Sequence, residues 1–261
     1  MGEPLMGWVS GLGIGLAIGL RHALDADHLV AVTSMLSGGR RARAAIGVGF
    51  CWGAGHALTL TGAGVFVLAT GWQFPRAWES LLEGLVGCVI LALGFNVLRS
   101  HWRSNLHWHR HRHAGGSHTH LHRHADMAAE ARALSASSSR IPLRKGWADP
   151  LHKALVHEHR HRGPSRGATV AIGALHGLAG SGPLMILLAL VFAAPQERYA
   201  ALVASAVGSM AGMVLVTTAV AVPYLASRSA GNVWHGRLQL ATGWGSVLYG
   251  LGFALRALAA G

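Results

Sequence analysis

A cluster of five ionisable side chains lies in the stretch Gly19-Leu20-Arg21-His22-Ala23-Leu24-Asp25-Ala26-Asp27-His28-Leu29. The surrounding run from Gly7 to Leu36 is otherwise apolar and rich in glycine, and as a helix it is long enough to cross the roughly 30 Å hydrocarbon core of a bilayer. An Arg or Asp at the centre of a bilayer costs about 2.5 to 3.5 kcal/mol on insertion scales, so these groups need partners, water or a bound cation. We therefore expect a functional site in this stretch.

Two imidazoles and two carboxylates within seven residues form a nitrogen and oxygen ligand set that suits nickel, cobalt or zinc. On a straight helix at about 100° per residue, His22, Asp25 and His28 share one arc and Asp27 points away from it. Either the helix is broken here, as at many transport sites, or Asp27 is an outer group that holds a histidine in one tautomer. The structural alternative is an internal ion pair between Arg21 and Asp25, with hydrogen-bonded core histidines.

The composition is that of a membrane protein, since 51% of the 261 residues are hydrophobic and only 12% are charged. Six apolar runs are long enough to span a bilayer as helices, which predicts an all-α membrane protein with six transmembrane helices. The predicted helices cover about 7–36, 44–70, 78–98, 167–193, 200–225 and 236–258.

Two halves of the chain share a weak internal repeat, because Gly173-Ala174-Leu175-His176-Gly177-Leu178 aligns with Gly19-Leu20-Arg21-His22-Ala23-Leu24 at an offset of 154. The predicted domains are a first three-helix repeat at 1–98, a loop at 99–166 and a second repeat at 167–261. An odd number of spans per repeat forces opposite orientations, the inverted arrangement in which transporters bind substrate near the bilayer midplane. His176 is the one ligand candidate that the second repeat retains.

Small residues recur at every fourth position of the first two predicted spans, in the rows Gly11, Gly15, Gly19, Ala23 and Ala45, Gly49, Gly53, Ala57. Such ridges allow close helix packing, and packing of the first span on the second would bring His56 near the motif. A histidine bonded to a backbone carbonyl is the alternative for His56. Glu79 and Glu83, one turn apart, are either partners of their own helix dipole or a cation-collecting vestibule.

A histidine, four residues and then Asp-His form the segment from His22 to His28, and this pattern resembles the signature of the nickel/cobalt transporter family. Gly55-His56-Ala57 resembles the family's Gly-His segment in the next span. The segment His176-Gly177-Leu178-Ala179-Gly180-Ser181-Gly182 resembles the urease accessory membrane proteins related to that family, whereas the transporters proper carry an acidic segment there. The resemblance covers all the spans but not the central loop. It implies transport of nickel or cobalt, with His22, Asp27 and His28 as the most important residues.

The central loop holds 13 of the 18 histidines, many at alternate positions. Low-complexity sequence of this kind predicts disorder, and its dense imidazoles suit a metal buffer of many weak sites better than one rigid site. The alternative is a solvated polar segment. The predicted buffering residues are His107, His109, His111, His113, His118, His120, His122, His124, His157, His159 and His161.

The sequence predicts neither an enzyme nor a nucleic-acid-binding protein. His157-Glu158-His159-Arg160-His161 matches the HExxH motif of zinc peptidases, but a chance match is easy where every second residue is His, and Gly163-Pro164 follows at once. The net charge of +12 is local, because 13 of the 22 Lys and Arg residues fall between Arg99 and Arg166. We expect no cofactor, since nickel or cobalt would be cargo.

The positive-inside rule predicts the orientation, because basic residues cluster at the loop between the first and second predicted spans and at the loop between the fifth and sixth. These residues are Arg40, Arg41, Arg43, Arg228 and Arg237, so both loops are predicted to be cytoplasmic. Both termini then lie outside a multi-pass cell-membrane protein, and the His-rich loop is cytoplasmic. We expect an importer that interacts with a divalent metal ion and the lipid bilayer. An efflux antiporter is one alternative. Another is a metal-delivery protein whose cytoplasmic partners mature urease or hydrogenase.

Overall fold

The computed structural model describes residues 2–38, 42–72, 75–113, 116–123, 164–229 and 232–260. These residues form eight helices and one pair of strands. The elements are α1 (Gly2–His22), α2 (Ala26–Leu36), α3 (Ala42–Thr70), α4 (Arg76–Asn105), β1 (Leu106–His113), β2 (Gly116–Arg123), α5 (Arg166–Ala179), α6 (Ser181–Val191), α7 (Pro195–Ser229) and α8 (Asn232–Ala260).

The helices carry the length and apolar character of membrane spans. Within the described ranges, Ala42–Thr70, Arg76–Arg103 and Pro195–Ser227 are each long and apolar enough to cross a bilayer, and the bent pair of α5 and α6 provides a fourth span if it crosses as one unit. Large apolar side chains such as Leu58 and Leu190 are exposed on the outside of the helices, as expected for a surface covered by lipid. The fold is therefore that of a helical membrane protein, and the count of six spans remains a prediction.

The first predicted span, 7–36, is broken into α1 and α2. The chain leaves the helix after His22, and Asp25 adopts an extended backbone (φ −62°, ψ 147°) before α2 begins at Ala26. A broken helix is thus the geometry that the motif adopts, and the straight-helix geometry does not apply. The predicted span at 167–193 is broken as well, since α5 and α6 meet at Gly180 with a bend of 44°. Gly180 is one residue from the position that the offset of 154 pairs with Asp25.

The small-residue ridge of α1 packs against α7, whereas the sequence predicted that it would pack against the second span, α3. A Cβ placed on Gly15 would collide with the carbonyl oxygen of Ala201, and one on Gly19 with that of Ser205. The reason is that α7 carries its own small residues at the facing positions, so the two backbones approach as closely as sterics allow. Gly208 of α7 completes the seam, since its Cβ position is 2.5 Å from the carbonyl oxygen of Leu16.

Helix α3 lies between α5 and α7, and this packing positions His56. A Cβ on Gly55 would collide with the carbonyl oxygen of Val170 in α5, and one on Gly177 with the carbonyl oxygen of His56 itself. Met213 of α7 is fully buried beside α3 in the main apolar cluster. The predicted result, a histidine of the second span close to the motif, is therefore reached through different helix partners.

Strands β1 and β2 lie in the segment for which we expected no regular structure. They pair antiparallel, with His107 opposite His122 and His109 opposite His120. Alternate histidines have the two-residue period of a strand, which is the physical reason that this sequence is compatible with a hairpin. Nothing is described for His124, His157, His159 and His161, which lie outside the described residues.

Candidate metal centre

Four histidines from four helices converge beside the break between α1 and α2. His22 ends α1, His28 lies in the first turns of α2, His56 lies in α3 and His176 lies in α5. The last three are almost completely removed from the surface, with exposed fractions of 1%, 0% and 2%. The rings of His22 and His28, on either side of the break, meet nearly edge to face with their centroids 4.7 Å apart.

The ring nitrogens are close enough to share one ion. One nitrogen each of His22, His28 and His56 lies within 4.8 Å of the other two. The ring of His176 has its centroid 5.5 Å from that of His28, which makes it the fourth member of the cluster. The four histidines singled out in the predicted membrane spans are therefore brought together by the fold.

Three of these imidazoles are held with Nδ1 turned away from the cluster. His28 Nδ1 donates to the carbonyl oxygen of His22 at 2.9 Å, and His176 Nδ1 donates to that of Ile172 at 2.8 Å. His22 Nδ1 lies 2.8 Å from Asp25 Oδ2, so it donates to this carboxylate. With the proton on Nδ1, each Nε2 carries a free lone pair, which is the arrangement in which outer partners orient metal-binding histidines.

The two aspartates of the motif lie in positions opposite to those expected from a straight helix. Asp25, expected among the ligands, is the outer partner of His22, and its other oxygen lies 3.9 Å from Arg21 Nη1. Asp27, expected to point away, has Oδ2 at 4.0 Å from His28 Nε2. The cause is the break, because residues after Asp25 no longer follow the angular progression of α1. Arg21 and Asp25 are 84% and 41% exposed at their side chains, so their pair contributes little stability.

Several buried nitrogens of the cluster have no hydrogen-bond partner. These are His22 Nε2, His176 Nε2 and both ring nitrogens of His56. The alternative in which His56 bonds to a backbone carbonyl is therefore not the one found in this fold. A buried polar atom left without a partner costs about 1 to 3 kcal/mol, so these nitrogens favour a bound partner. A cation coordinated by these nitrogens removes that cost, and imidazole nitrogens with a nearby carboxylate suit nickel, cobalt or zinc.

Trp52 forms one wall of the cluster, although it was not among the site residues predicted from the sequence. Its ring meets His28 and His176 nearly edge to face, at centroid distances of 5.2 and 5.8 Å. Its position one turn before His56 on α3 is the sequence signal that would have identified it, since residues four apart share a helix face. Trp52 excludes water from this side of the histidines and offers no lone pair to a metal.

A cavity of about 530 Å³ adjoins the cluster. Its ionisable and histidine lining comes from the broken motif, from α4 and from α5, and its apolar lining includes Leu184 and Leu187 of α6. The exposed Arg21 side chain lies at its edge, so the cavity reaches the protein surface. The ionisable and histidine residues on its wall are Arg21, His22, Asp25, Asp27, Glu83 and His176.

Comparison with known proteins gives one relative of wide coverage. The chain is 23% identical over 240 residues to the urease accessory protein UreH of Bacillus sp. (strain TB-90), and the similarity covers 92% of this chain and 88% of that protein. No family model matches the chain. No solved structure matches it either.

Proposed function

We propose that this protein carries a divalent transition metal ion, nickel or cobalt, across the membrane. The observation that supports this most directly is the convergence of four histidines in which Nδ1 of three rings is held by an acceptor and buried ring nitrogens of His22, His56 and His176 have no hydrogen-bond partner. Histidines satisfied as part of a packed core would have partners on both sides. The unpartnered nitrogens of this cluster instead suit the coordination of a cation.

The ligand chemistry selects a class of ion. Imidazole nitrogens bind nickel, cobalt and zinc well, whereas magnesium and calcium prefer shells of oxygen atoms. Asp27, with Oδ2 4.0 Å from His28 Nε2, is the carboxylate best placed to join the histidines on a bound ion. The preference for nickel or cobalt over zinc rests on the resemblance of the segment from His22 to His28 to the nickel/cobalt transporter signature.

The breaks between α1 and α2 and between α5 and α6 support transport over simple binding. Discontinuous helices at matching positions of two inverted repeats are how many secondary transporters expose backbone groups and form a substrate site near the midplane. In this chain the first break covers 23–25 and the second lies at Gly180. The repeat offset of 154 pairs Asp25 with Ala179, one residue before Gly180. The proposed arrangement is therefore six spans in two inverted repeats with the ion at their interface.

Energetics favours import. Moving one elementary charge through 100 mV is worth about 2.3 kcal/mol, so a dication entering an inside-negative cell gains about 4.6 kcal/mol. That free energy supports a gradient of roughly 2,000-fold, and import therefore needs no coupling ion. A cytoplasmic His-rich loop, with both termini outside, would bind arriving metal at its many imidazoles.

The second candidate is a membrane-bound metal-delivery protein. The observation that favours it is the similarity to a protein named as a urease accessory protein. Such a protein would hold metal in the loop and pass it to cytoplasmic maturation partners. Deleting 106–162 separates the two candidates, because a transporter retains flux without the loop and a delivery protein loses its whole effect.

The test of transport is the uptake of radioactive nickel and cobalt by proteoliposomes at a fixed, inside-negative potential, with and without a pH gradient. We expect uptake that follows the potential and is abolished by His22→Ala and by His28→Ala. His235→Ala is the matched control, because His235 bonds to Ser227 and is not part of the cluster. Flux that requires an opposing proton gradient would overturn import in favour of antiport, and no flux of nickel, cobalt or zinc would overturn transport itself.

A further inference from the structure

We propose that Glu83 receives the hydrated metal ion in the cavity and passes it to the four histidines. The inference rests on the proposed metal site, and it assigns the entry path and a residue of α4 that belongs neither to the motif nor to the cluster. Glu83 lines the same cavity as His22, Asp27 and His176.

The position of Glu83 distinguishes it from an acid that only complements its own helix dipole. It lies two turns into α4, which begins at Arg76, and its side chain is only partly exposed. Glu79, one turn earlier, has its carboxylate against Gly182 at the start of α6 and is not part of the cavity wall. Glu83 is therefore the acid of α4 that faces the path to the histidines.

The charge of the cavity wall suits a cation. Three carboxylates, those of Asp25, Asp27 and Glu83, line it together with one guanidinium, that of Arg21. Apolar walls of low dielectric on the side of α6 concentrate this field inside the cavity. An arriving dication is attracted, and an anion is repelled.

The volume of the cavity suits an ion that still carries its water. A first shell of six waters at about 30 Å³ each occupies about 180 Å³. The cavity volume of about 530 Å³ leaves room for this shell beside the carboxylates. Glu83 can hold the ion through these waters or directly by an oxygen atom.

Independent evidence for a ligand comes from the inner end of the cavity. His176 lines the cavity, is only 2% exposed and has Nε2 without a hydrogen-bond partner. His22, whose Nε2 is also unpartnered, lines the cavity as well. An ion held by Glu83 therefore has free imidazole lone pairs ahead of it, and each water it loses is replaced by a nitrogen ligand.

The experiment measures the kinetics of cobalt binding to the purified full-length protein in detergent. Co²⁺ is mixed rapidly with protein at low ionic strength, and the visible absorption of the bound ion is followed. For Glu83→Gln we expect the association and dissociation rate constants each to fall about tenfold, at the low end of electrostatic effects on such rates. The Kd should stay within twofold, because a residue on the path changes both directions equally.

Two variants serve as controls. Glu197→Gln removes the same charge from a partly buried glutamate of α7 that does not line the cavity, and it should behave as the unmodified chain. Glu83→Asp keeps the carboxylate and should retain the association rate within threefold, which separates loss of charge from misfolding.

Three outcomes would overturn the inference. An association rate constant for Glu83→Gln within twofold of that for Glu197→Gln would show that Glu83 is not on the path. A Kd raised more than tenfold with a changed cobalt spectrum would show that Glu83 is a ligand of the final site. Absence of cobalt binding by the unmodified chain would instead overturn the proposed function, and this inference with it.

Discussion

Replacing Asp25 by Asn tests the hydrogen bond that orients His22. Asn is nearly the same size, so the break between α1 and α2 is retained. The carboxylate accepts the Nδ1 proton of His22 at 2.8 Å, whereas the Asn amide can either accept or donate at this position. His22 then divides between two tautomers, and in one of them Nε2 carries the proton and cannot bind a metal.

The expected loss follows from the exposure of the pair. A hydrogen bond to a charged group contributes about 1.5 to 3 kcal/mol, but the Asp25 side chain is 41% exposed and water weakens the interaction. We therefore expect the Kd for nickel to rise about tenfold, which corresponds to a loss of about 1.4 kcal/mol of binding free energy. This is the lower end of the roughly 10- to 100-fold losses that follow mutation of residues that orient metal ligands.

The assay is isothermal titration of nickel into purified protein, with Glu197→Gln as the control for charge. The melting temperature without metal should be nearly unchanged, since the hydrogen bond can still form in either tautomer. A Kd within twofold of that of the unmodified chain would refute the assigned role of Asp25. Asp27→Asn should be at least as damaging, because Asp27 Oδ2 lies on the open side of the cluster, 4.0 Å from His28 Nε2.

Three further predictions concern helix packing and the histidine cluster. Gly15→Leu should prevent accumulation of folded protein, because a Cβ at this position would collide with the backbone of Ala201. Gly13→Leu is the control and should fold normally, because the space around its Cβ position is open. Equal yields of the two variants on size-exclusion chromatography would contradict this. His56→Leu should abolish tight cobalt binding yet leave the metal-free melting temperature unchanged or higher, because two buried unpartnered nitrogens are removed; a fall would mean that His56 is structural. Nickel at about 100 times its Kd should raise the unfolding free energy by about 2.7 kcal/mol, and His176→Ala at the same nickel concentration should show a much smaller rise.

The elements were largely predictable from sequence because helix length and apolar character are local properties. The runs near 44–70, 78–98 and 200–225 correspond to α3, α4 and α7, although each helix extends beyond its predicted bounds. The ends were less predictable because polar flanking residues such as those of α4 after Arg99 continue a helix without adding to its apolar run. The pair of strands was not anticipated because low-complexity sequence favours disorder, even though alternate histidines also have the two-residue period of a strand.

The residues of the candidate centre were identifiable from sequence, but their roles were not. Ionisable groups in an apolar run are conspicuous, and the internal repeat singled out His176 by its alignment with His22. The positions of Asp25 and Asp27 relative to the histidines depend on the extended backbone at Asp25. A break of a few residues resets the helix face of every residue that follows, and no periodicity in the sequence records the new direction.

Apolar composition and the length of the apolar runs were enough to predict a helical membrane protein, and the ionisable stretch from Arg21 to His28 was enough to predict a functional site. The packing of α7 on the ridge of Gly15 and Gly19, and the position of Glu83 on the wall of the cavity, could be seen only in the folded chain. A small-residue ridge specifies that some helix approaches closely, but many helices of the chain carry small residues. Which one fits depends on the match of two whole surfaces distant in sequence, and that match exists only once all the helices have packed.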